Sequence, residues 1–383
     1  MFQYRYRKCY ILIRKLGIIQ VESVRCVLRL CMQKSSESKA ITIYDIAKEA
    51  GVSPATVSRV LTNNANVSKA KKEKVQGLIA KYNFKPNALA KGLSDTQSKV
   101  IGIIAADVRN SYYAEVFVAC ENAAREQGYT VLLSNAFGSM EREIQHLDMM
   151  RQQRVAAIIQ LGGSVDAVAS YPEYVGKVAQ IMPSVPLIVT GKLDGTECYE
   201  VQIDFDKATD FLMDYLFGLG HERIALVGGR YNVLGTYRKR QRYEELLEKH
   251  GISYREEYVV AGSYDYESGY FGMNQILALA DMPTAVITIN DYVASGIIRS
   301  AMEHGYRIPQ DISVASYDNT QIAELLTPRL TSIDYDYGNF GRMLVNTAIA
   351  ASKGIKVPTH QKMWPRLVVR ESSGPRPTAF TVS

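Results

Sequence analysis

The chain has 383 residues, of which 47% are hydrophobic and 22% charged, so it is long enough for two or three globular domains. Its net charge of +6 is unevenly distributed, because residues 41–99 carry +6 whereas residues 100–383 carry −7. The five cysteines form no CxxC motif and no Cys/His cluster, which argues against a disulfide framework or a metal site and suits a reducing cytoplasm. A small basic unit joined to a large acidic one indicates that the basic unit binds a polyanion.

The first 31 residues differ from the rest, since they are both basic and apolar. Arg14 and Lys15 interrupt their only apolar run, which is too short for a transmembrane helix and lacks the cleavage site of a secretory signal. One interpretation is an arm that binds a membrane surface or nucleic acid. The favoured one is a start codon assigned too early, with Met32 as the natural first residue. Residues 1–39 are therefore predicted to be an unstructured or wrongly assigned extension.

Residues 40–85 have the pattern of three short helices. Thr42 and Asp45 form a capping-box-like start, and the apolar residues of "TIYDIAKEA" lie on one face of the first helix. Gly51 suits the left-handed conformation that ends a helix. Ser53 is the predicted cap of the second helix, and Pro54 occupies its first position.

The second and third helices both have an apolar inner face, but the residues on their outer faces differ. Helical spacing points a set of apolar residues inward, namely Val57, Val60 and Leu61 on the second helix and Val75, Leu78, Ile79 and Tyr82 on the third. The outer face of the second helix carries Ala55 and Arg59, and that of the third carries four lysines between residues 69 and 74. This arrangement predicts a helix-turn-helix unit rather than a helical domain with a merely solvated basic face, because turn, caps, core and outer face all agree.

The outer face of the second helix has the chemistry of a major-groove reader. Small residues at 54 and 55 allow close approach to DNA, and Arg59 can donate two hydrogen bonds to guanine. The lysines and helix N-termini are suited to phosphates, which give affinity without sequence specificity.

The segment 86–99 can form only a marginal helix. Pro86 can begin one, but only about seven residues follow before Gly92 and Leu93, which is too short to persist alone. One interpretation is an ordinary linker. The other is a hinge helix that folds on DNA and inserts Leu93 between base pairs of the minor groove.

Residues 100–383 alternate between strand-like and helix-like stretches. Buried strands are predicted at "VIGIIAAD", "YTVLLSN", "VAAIIQLG", "PLIVTGK", "RIALVGG", "YVVAG", "TAVITIN" and "DISVASYD". Helices are predicted near residues 112–127, 140–153, 206–219, 237–250, 266–280 and 291–304. This alternation predicts an α/β core of two doubly wound parallel sheets.

Ligands of such sheets bind beyond the carboxyl ends of the strands. The residues at those ends are polar or aromatic: Asp107, Asn110, Tyr112, Tyr113, Thr190 to Lys192, Tyr264, Asp265, Asn290, Asp291, Tyr317 and Asp318. Rings that stack on a sugar, with carboxylates and amides for its hydroxyl groups, would form a saccharide pocket. Each residue alone also has a structural interpretation, since Asp291 could cap a helix and the tyrosines could be core.

The stretch "TIYDIAKEAGVSPATVSRVLTNN", followed by "KPNALAKGL", resembles the LacI family of bacterial regulators, which includes the lactose and purine repressors. The motifs "INDYVASG", "GYRIPQDISVASYDN", "LTSIDYDYGNFGR" and "WPRLVVRESS" extend the resemblance to the C-terminus. It implies a homodimer on a near-palindromic operator, with paired hinge helices in the minor groove and a periplasmic-binding-protein-like core of two lobes. Lobe 1 would comprise residues 100–200 and 332–365, and lobe 2 residues 201–331 and the C-terminal strand.

The resemblance also implies site residues. On the DNA side these are Thr42, Tyr44, Ser53, Pro54, Ala55, Thr56, Ser58, Arg59, Asn87, Ala90, Lys91 and Leu93. The implied effector contacts are Tyr112, Tyr113, Lys239, Tyr264, Asn290 and Asp318. Lys239 stands where the family usually has arginine, and lysine cannot form the planar two-point contact of a guanidinium with a diol. The basic stretch 237–242 is either a solvated helix face or a sign of a phosphorylated or carboxylated effector.

Other functions fit the sequence less well. It contains no GxxxxGK[ST], GxGxxG, GxSxG or HExxH motif, so an enzyme is not expected, and no cofactor or metal is expected either. A transport binding protein would need a secretion signal and has no use for a helix-turn-helix, and an architectural DNA binder needs no effector core. The sequence therefore predicts a cytoplasmic, dimeric, effector-controlled repressor of a carbohydrate uptake or catabolism operon. The alternative effectors are a sugar phosphate, a sugar acid or a purine.

Overall fold

The computed structural model describes residues 41–61, 67–84 and 98–377. The chain divides into two compact units, residues 1–94 and 95–383, which are described separately below. The predicted N-terminal extension and the hinge residues Asn87, Ala90, Lys91 and Leu93 lie outside the described residues.

The first unit contains helices α1 (Ile43–Ala50), α2 (Pro54–Leu61) and α3 (Lys69–Lys81). The predicted capping box at the start of α1 is confirmed: the Asp45 amide donates to Thr42 Oγ1 at 3.3 Å, and the Thr42 amide donates to Asp45 Oδ2 at 2.8 Å. Gly51 ends α1 in the left-handed conformation, with φ of 69°. The Thr56 amide donates to Ser53 Oγ at 3.2 Å, so Ser53 caps α2 as predicted.

The three helices enclose one small apolar core. Its buried members come from all three helices: Ile46, Ala47, Ala50, Val57, Val60 and Val75. Tyr82, which the periodicity placed with the core, is only partly buried, because its hydroxyl donates to Glu49 at 2.7 Å. The Lys81 ammonium donates to the same carboxylate at 2.8 Å, so polar contacts fasten the end of α3 to α1.

The second unit alternates strands and helices. Its first half comprises β1 (Val100–Ala105), α4 (Ser111–Glu126), β2 (Thr130–Asn135), α5 (Met140–Gln152), β3 (Ala157–Leu161), α6 (Pro172–Ile181), β4 (Leu187–Val189), β5 (Tyr199–Ile203) and α7 (Phe205–Gly218). Its second half comprises β6 (Ile224–Val227), α8 (Leu234–Lys249), β7 (Val259–Val260), α9 (Tyr266–Leu277), β8 (Ala285–Thr288), α10 (Asp291–Glu303), β9 (Ser313–Asp318), α11 (Gln321–Leu325), β10 (Thr331–Asp334), α12 (Tyr337–Ser352), β11 (His360–Met363) and β12 (Arg366–Val368).

These strands form two six-stranded sheets, and each sheet is the centre of one lobe. The orders are β2-β1-β3-β4-β5-β11 in the first and β7-β6-β8-β9-β10-β12 in the second. All neighbours are parallel except β10 and β12. Strand β1 is the first strand of this unit and lies inside the first sheet, with β2 on one side and β3 on the other. The sheet is therefore doubly wound, as the alternation predicts.

The chain crosses between the lobes three times, after β5, after β10 and after β11. Two predicted boundaries fall too early. Strand β5 (Tyr199–Ile203) belongs to the first sheet, although lobe 2 was predicted to begin at about residue 201. Strand β10 (Thr331–Asp334) belongs to the second sheet, although lobe 1 was predicted to resume at about residue 332. The reason is strand pairing: β10 aligns with β9 from Thr331 opposite Ala315 to Asp334 opposite Asp318, and local sequence does not encode which sheet a strand joins.

Within the described part of the chain, no helix is both long and apolar enough to cross a membrane. Among the same residues, no group of three or more His, Cys, Asp or Glu side chains is arranged to hold a metal ion.

We expect Gly51→Ala to lower the free energy of unfolding of the first unit by about 1 kcal/mol, because an L-residue at this φ is strained. Chemical denaturation of the full chain, followed by a probe in residues 41–84, measures the change. Gly77 is the matched control: it lies within α3, and a Cβ there would meet nothing within 4 Å. Gly77→Ala should stabilise α3, so equal losses from both substitutions would contradict the assigned role of Gly51.

Candidate effector cavity and DNA-reading helix

Helix α2 and the residues before it carry side chains that the sequence analysis predicts to contact DNA. Ala55 and Arg59 are exposed on its outer face, while Val57 and Val60 are buried on the inner one. Of the other predicted DNA-binding residues that the structure describes, three are exposed and three partly buried: Thr42, Tyr44 and Ser53, then Pro54, Thr56 and Ser58. Tyr44 is 70% exposed, unusually high for a tyrosine in a packed helix. The surface is accessible to a duplex, and contact with one stays a prediction.

The lysines of α3 also face solvent. Lys69, Lys71 and Lys74 are exposed, and Lys72 is partly buried. An exposed row of ammonium groups is the arrangement that phosphate contacts require.

The second unit encloses a cavity of about 1380 Å³, lined by residues from both lobes. All six predicted effector contacts line it: Tyr112, Tyr113, Lys239, Tyr264, Asn290 and Asp318. They come from the first turn of α4, from α8, from the segments that follow β7 and β8, and from the last residue of β9. The topology therefore brings together side chains that are up to 206 positions apart in sequence. That they bind an effector stays a prediction.

Lys239 lies deep in this cavity, with 5% of its surface exposed. Its ammonium lies 4.0 Å from the ring centre of Tyr317 and 5.1 Å from that of Phe205, and it donates to the Ile289 carbonyl at 3.4 Å. Burial lowers the pKa of Lys239, and the carboxylates of Asp318 and Asp291 act in the opposite direction. Aromatic faces thus supply much of the stabilisation that a cation loses on leaving water.

Asp318 and Asp291 lie near this cation but differ in their partners. Asp291 Oδ2 accepts from the Thr320 amide at 2.7 Å, and its Oδ1 accepts from Ser332 Oγ at 2.8 Å, so its carboxylate is occupied. Asp318 lines the cavity with a left-handed φ of 100°. Burial raises the pKa of Asp318 and the charge of Lys239 opposes that rise. Strained backbone that directs a carboxylate into a cavity is typical of a functional site.

Asn290 and Tyr264 have structural roles as well as cavity positions. Asn290 Oδ1 accepts from the Val293 amide at 2.9 Å, which caps α10, and its Nδ2 donates to the Tyr264 carbonyl at 3.0 Å. The Tyr264 hydroxyl is 2.8 Å from Thr236 Oγ1. The alternative that Asp291 caps the helix is wrong, because Asn290 is the cap.

The tyrosines form an aromatic wall. The rings of Tyr112 and Tyr113 meet edge to face with centres 5.1 Å apart, and Tyr112 meets Tyr335 in the same way at 6.0 Å. Tyr335 is fully buried, and its hydroxyl has no hydrogen-bond partner among the described residues. Of the other strand-end residues, Asp107 pairs with Arg109, and Asn110 and Asp265 cap α4 and α9.

The basic stretch 237–242 is mainly a solvated helix face. Arg238 pairs with Asp206, Arg240 Nε donates to Glu244 Oε1 at 2.8 Å, and Arg242 Nε donates to Asp210 Oδ1 at 2.6 Å. Only Lys239 of this stretch is buried at the cavity. The arginines therefore give no support to an anionic effector.

The cavity residues that sequence reasoning missed include Asp166, Phe205 and Tyr335. Phe205 and Tyr335 immediately follow two of the lobe crossings, so knowledge of the crossings would have identified them. Asp166 lies in a 3₁₀ turn, Gly163–Asp166, directly after β3. The glycine pair before it is a turn signal that could have drawn attention to this strand end.

Comparison with known proteins agrees with both units. Residues 42–87 match the model described as bacterial regulatory proteins, lacI family, and residues 213–373 match that of a periplasmic binding protein-like domain. Catabolite control protein A of Priestia megaterium is 32% identical over 303 residues, which cover 78% of this chain and 89% of that protein. The chain belongs to the LacI family. The HTH-type transcriptional repressor PurR of Erwinia tasmaniensis is 33% identical over 86% of this chain and 96% of its own length.

A solved LacI-family structure shares the architecture. The lac repressor dimer bound to operator and the anti-inducer ONPF superposes with a TM-score of 0.78 and 28% identity, over 88% of this chain and all of that one. Members of the LacI family are DNA-binding transcription regulators controlled by small molecules, not enzymes, and this chain is one of them. The predicted fold class, two doubly wound lobes preceded by a helix-turn-helix domain, is confirmed.

We expect Asp166→Asn to raise the free energy of unfolding at pH 8 by about 1–3 kcal/mol. Burial raises the pKa of Asp166 from its usual 3.8 to about 6, so the ionised carboxylate destabilises the fold above pH 6. Below about pH 3 the group is protonated in folded and unfolded chains alike, and the gain should disappear. Denaturation of both proteins at pH 8 and pH 3 measures it.

Asp194→Asn is the matched control, because Asp194 lines the same cavity but is 63% exposed and pairs with Lys192 at 2.8 Å. That ion pair lowers the pKa of Asp194, so its removal should cost a little stability rather than add any. A loss of stability at pH 8 from both substitutions would contradict the assigned burial penalty at Asp166.

Proposed function

We propose that this LacI-family regulator is a cytoplasmic homodimer that represses genes of carbohydrate uptake or catabolism. In this proposal it binds a near-palindromic operator, and a saccharide in the cavity changes its affinity for that operator. The observation that carries the proposal is the cavity itself, in which aromatic rings and carboxylates from two lobes surround a space of about 1380 Å³.

The DNA-binding part of the proposal rests on α2. Its exposed face combines a small residue, Ala55, with Arg59 one helical turn later. A small side chain lets the helix approach the floor of the major groove, and a guanidinium four residues on can donate two hydrogen bonds to guanine O6 and N7. The exposed lysines of α3 supply the phosphate contacts.

The saccharide part rests on the chemistry of the cavity wall. Flat rings such as those of Tyr112 and Tyr264 suit the apolar faces of a pyranose, and carboxylates such as Asp318 accept hydrogen bonds from hydroxyl groups. Lys239 cannot reproduce the two-point contact of the arginine that is usual at this position. Its ammonium donates instead to single oxygen atoms, so an acceptor such as a ring or hydroxyl oxygen fits beside it.

Control of DNA binding follows from the three crossings. Three chain segments, after β5, β10 and β11, connect the two lobes, and residues of both lobes line the cavity. We propose that a ligand in contact with both lobes changes their relative orientation. We propose that this motion alters the segment 86–99 that precedes β1. A marginally stable hinge helix unfolds after a small change in free energy, and its unfolding weakens operator binding.

The homodimer is supported by an exposed apolar surface on adjacent helices of the second lobe. Phe271 on α9 is 61% exposed and Met302 on α10 is 53% exposed, and these two helices pack against each other. Exposed large apolar side chains on a surface are candidates for an interaction site. The similar lac repressor structure is also a dimer bound to operator.

We expect Arg59→Ala to weaken binding to the cognate operator by about 1–3 kcal/mol and to relax preference at one base pair. The operator is first obtained by selection from random duplexes with the wild-type chain, and affinities are then measured on it and on single-base variants. Lys71→Ala is the control, since Lys71 is exposed on α3 and is assigned to phosphate. It should weaken binding to all sequences alike and lower the salt dependence by about one ion.

An equal loss for Arg59→Ala on every sequence would mean that Arg59 contacts phosphate and not bases. Failure of the wild-type chain to select any sequence would contradict the proposed repressor function as a whole.

We expect Leu93→Ala to reduce operator affinity by about tenfold or more, because the proposed wedge between base pairs is removed. Saccharide binding, measured by calorimetry on the same protein, should be unchanged. Unchanged operator affinity would favour the alternative that residues 86–99 are an ordinary linker.

A further inference from the structure

The two lobes contact each other through backbone atoms in the wall of the cavity. In the first lobe the contact is made by Ala167 and Val168, directly after the 3₁₀ turn that follows β3, and in the second by Asn232 and Val233, directly before α8. Ala167 forms an isolated antiparallel bridge with Val233, and the Val168 amide donates to the Asn232 carbonyl at 3.1 Å. All four residues line the cavity, and we call them the clasp.

Each half of the clasp is extended and is anchored within its own lobe. Ala167 has φ −69° and ψ 140°, and Val233 has φ −98° and ψ 125°. The Lys192 amide donates to the Val165 carbonyl at 2.8 Å beside the first half, and the Val233 amide donates to the Arg230 carbonyl at 3.0 Å in the second. Two extended segments with fixed bases pair as short strands do, so the chain's own backbone groups are sufficient to form the clasp.

The clasp lies far from the crossings that join the lobes. Strand β3 is separated from β5 by β4, and β6 is separated from β10 by β8 and β9. With about 4.8 Å between neighbouring strands, the two halves of the clasp leave their sheets roughly 10 Å and 14 Å from the strands that carry crossings. A rotation of one lobe about the crossings therefore displaces the clasp segments by a large distance and breaks their hydrogen bond.

Another hydrogen bond between the lobes lies much closer to a crossing. The Tyr337 hydroxyl, in the first turn of α12, donates to the Asp318 carbonyl at the end of β9 at 2.9 Å. Tyr337 follows β10 by three positions, immediately after the crossing. A small rotation about the crossings moves this contact less than it moves the clasp, so the clasp is the contact that distinguishes one lobe orientation from another.

The clasp is weak enough to open. Its hydrogen bond joins two uncharged backbone groups, and such a bond changes an equilibrium constant by about two- to tenfold. Asn232 is exposed, so water can replace the amide at its carbonyl when the lobes separate. Ala167 is 7% exposed, and its burial adds a small apolar contribution. A contact of this strength favours one orientation of the lobes without fixing it.

We propose that the clasp holds the lobes in the orientation that binds operator, and that a ligand in the cavity weakens operator binding by keeping the clasp open. Because the clasp residues line the cavity, a ligand that keeps the lobes rotated also prevents these segments from pairing again. This inference rests on the proposed function, since operator binding is the activity that the clasp controls.

The first test removes the hydrogen-bond donor. Val168→Pro deletes the amide N–H, and the ψ of 140° at Ala167 is the conformation that a residue before proline prefers. The full-length variant should bind the selected operator about two- to tenfold more weakly than the wild type. Val168→Ala is the matched control, because it shortens the same side chain but keeps the amide, and it should bind as the wild type does. Equal losses in both variants, or no loss in either, would overturn the inference.

The second test closes the clasp covalently, with Ala167→Cys/Val233→Cys in the full chain. The hydrogen bond from Val168 to Asn232 flanks the bridge, so positions 167 and 233 form a non-hydrogen-bonded pair. Their Cα atoms are then about 4.5 Å apart, which is within the range of a disulfide. Peptide mass spectrometry after oxidation should find this disulfide, with Ala167→Cys alone as the control.

The oxidised double variant should bind operator at least as tightly as the wild type. Absence of the disulfide after oxidation, or a tenfold loss of operator affinity when it forms, would overturn the inference. Glucose, ribose, maltose and cellobiose are then added to each operator complex. A saccharide that releases the wild type should not release the oxidised variant and should do so again after reduction, whereas equal release of both would contradict the role of the clasp.

The outcomes separate the two proposals. If the wild-type chain selects no operator, the proposed function fails whether or not the disulfide forms. If it selects one, and both Val168→Pro and the oxidised double variant bind and release that operator as the wild type does, only the role of the clasp is wrong.

Discussion

The function of this protein depends on a geometric constraint: the carboxyl ends of the strands in two parallel sheets are directed into one cavity. A parallel sheet places every loop that follows a strand at the same edge, so polar side chains from distant parts of the chain gather there. Three crossings between the sheets then allow both edges to line the same space. Residues of both lobes line the cavity, so the lobes would enclose a ligand together.

Within the cavity, charges are arranged at a cost to stability. The Lys239 ammonium lies beside aromatic rings, Asp318 has a left-handed backbone, and among the described residues Asp166 forms no ion pair. Elsewhere on the surface of the core, arginines such as Arg240 and Arg242 have carboxylate partners. A fold optimised only for stability would pair or expose each of these charges, which is consistent with the proposal that the cavity residues bind a ligand.

In the DNA-binding unit, interactions between residues close in sequence are sufficient to define the helices. The capping box of Thr42 and Asp45, the left-handed Gly51 and the cap at Ser53 determine where α1 ends and α2 begins. The small core then fixes which side of α2 faces solvent. Because these contacts are between residues close in sequence, the orientation of Arg59 is decided by its own helix and not by the core that binds the effector.

The sequence by itself therefore determined most of the DNA-binding unit, the alternation of strands and helices, and the six predicted contacts among the residues that line the cavity. Caps, periodicity and strand ends are short-range features, so they can be recognised without a structure. Only the tertiary structure decided which sheet β10 joins, that the arginines near Lys239 are paired, and that Asp166 lies next to a backbone bridge between the lobes. These properties depend on contacts between residues far apart in the chain, such as Asp166 and Tyr113 or Ala167 and Val233, which no local pattern records.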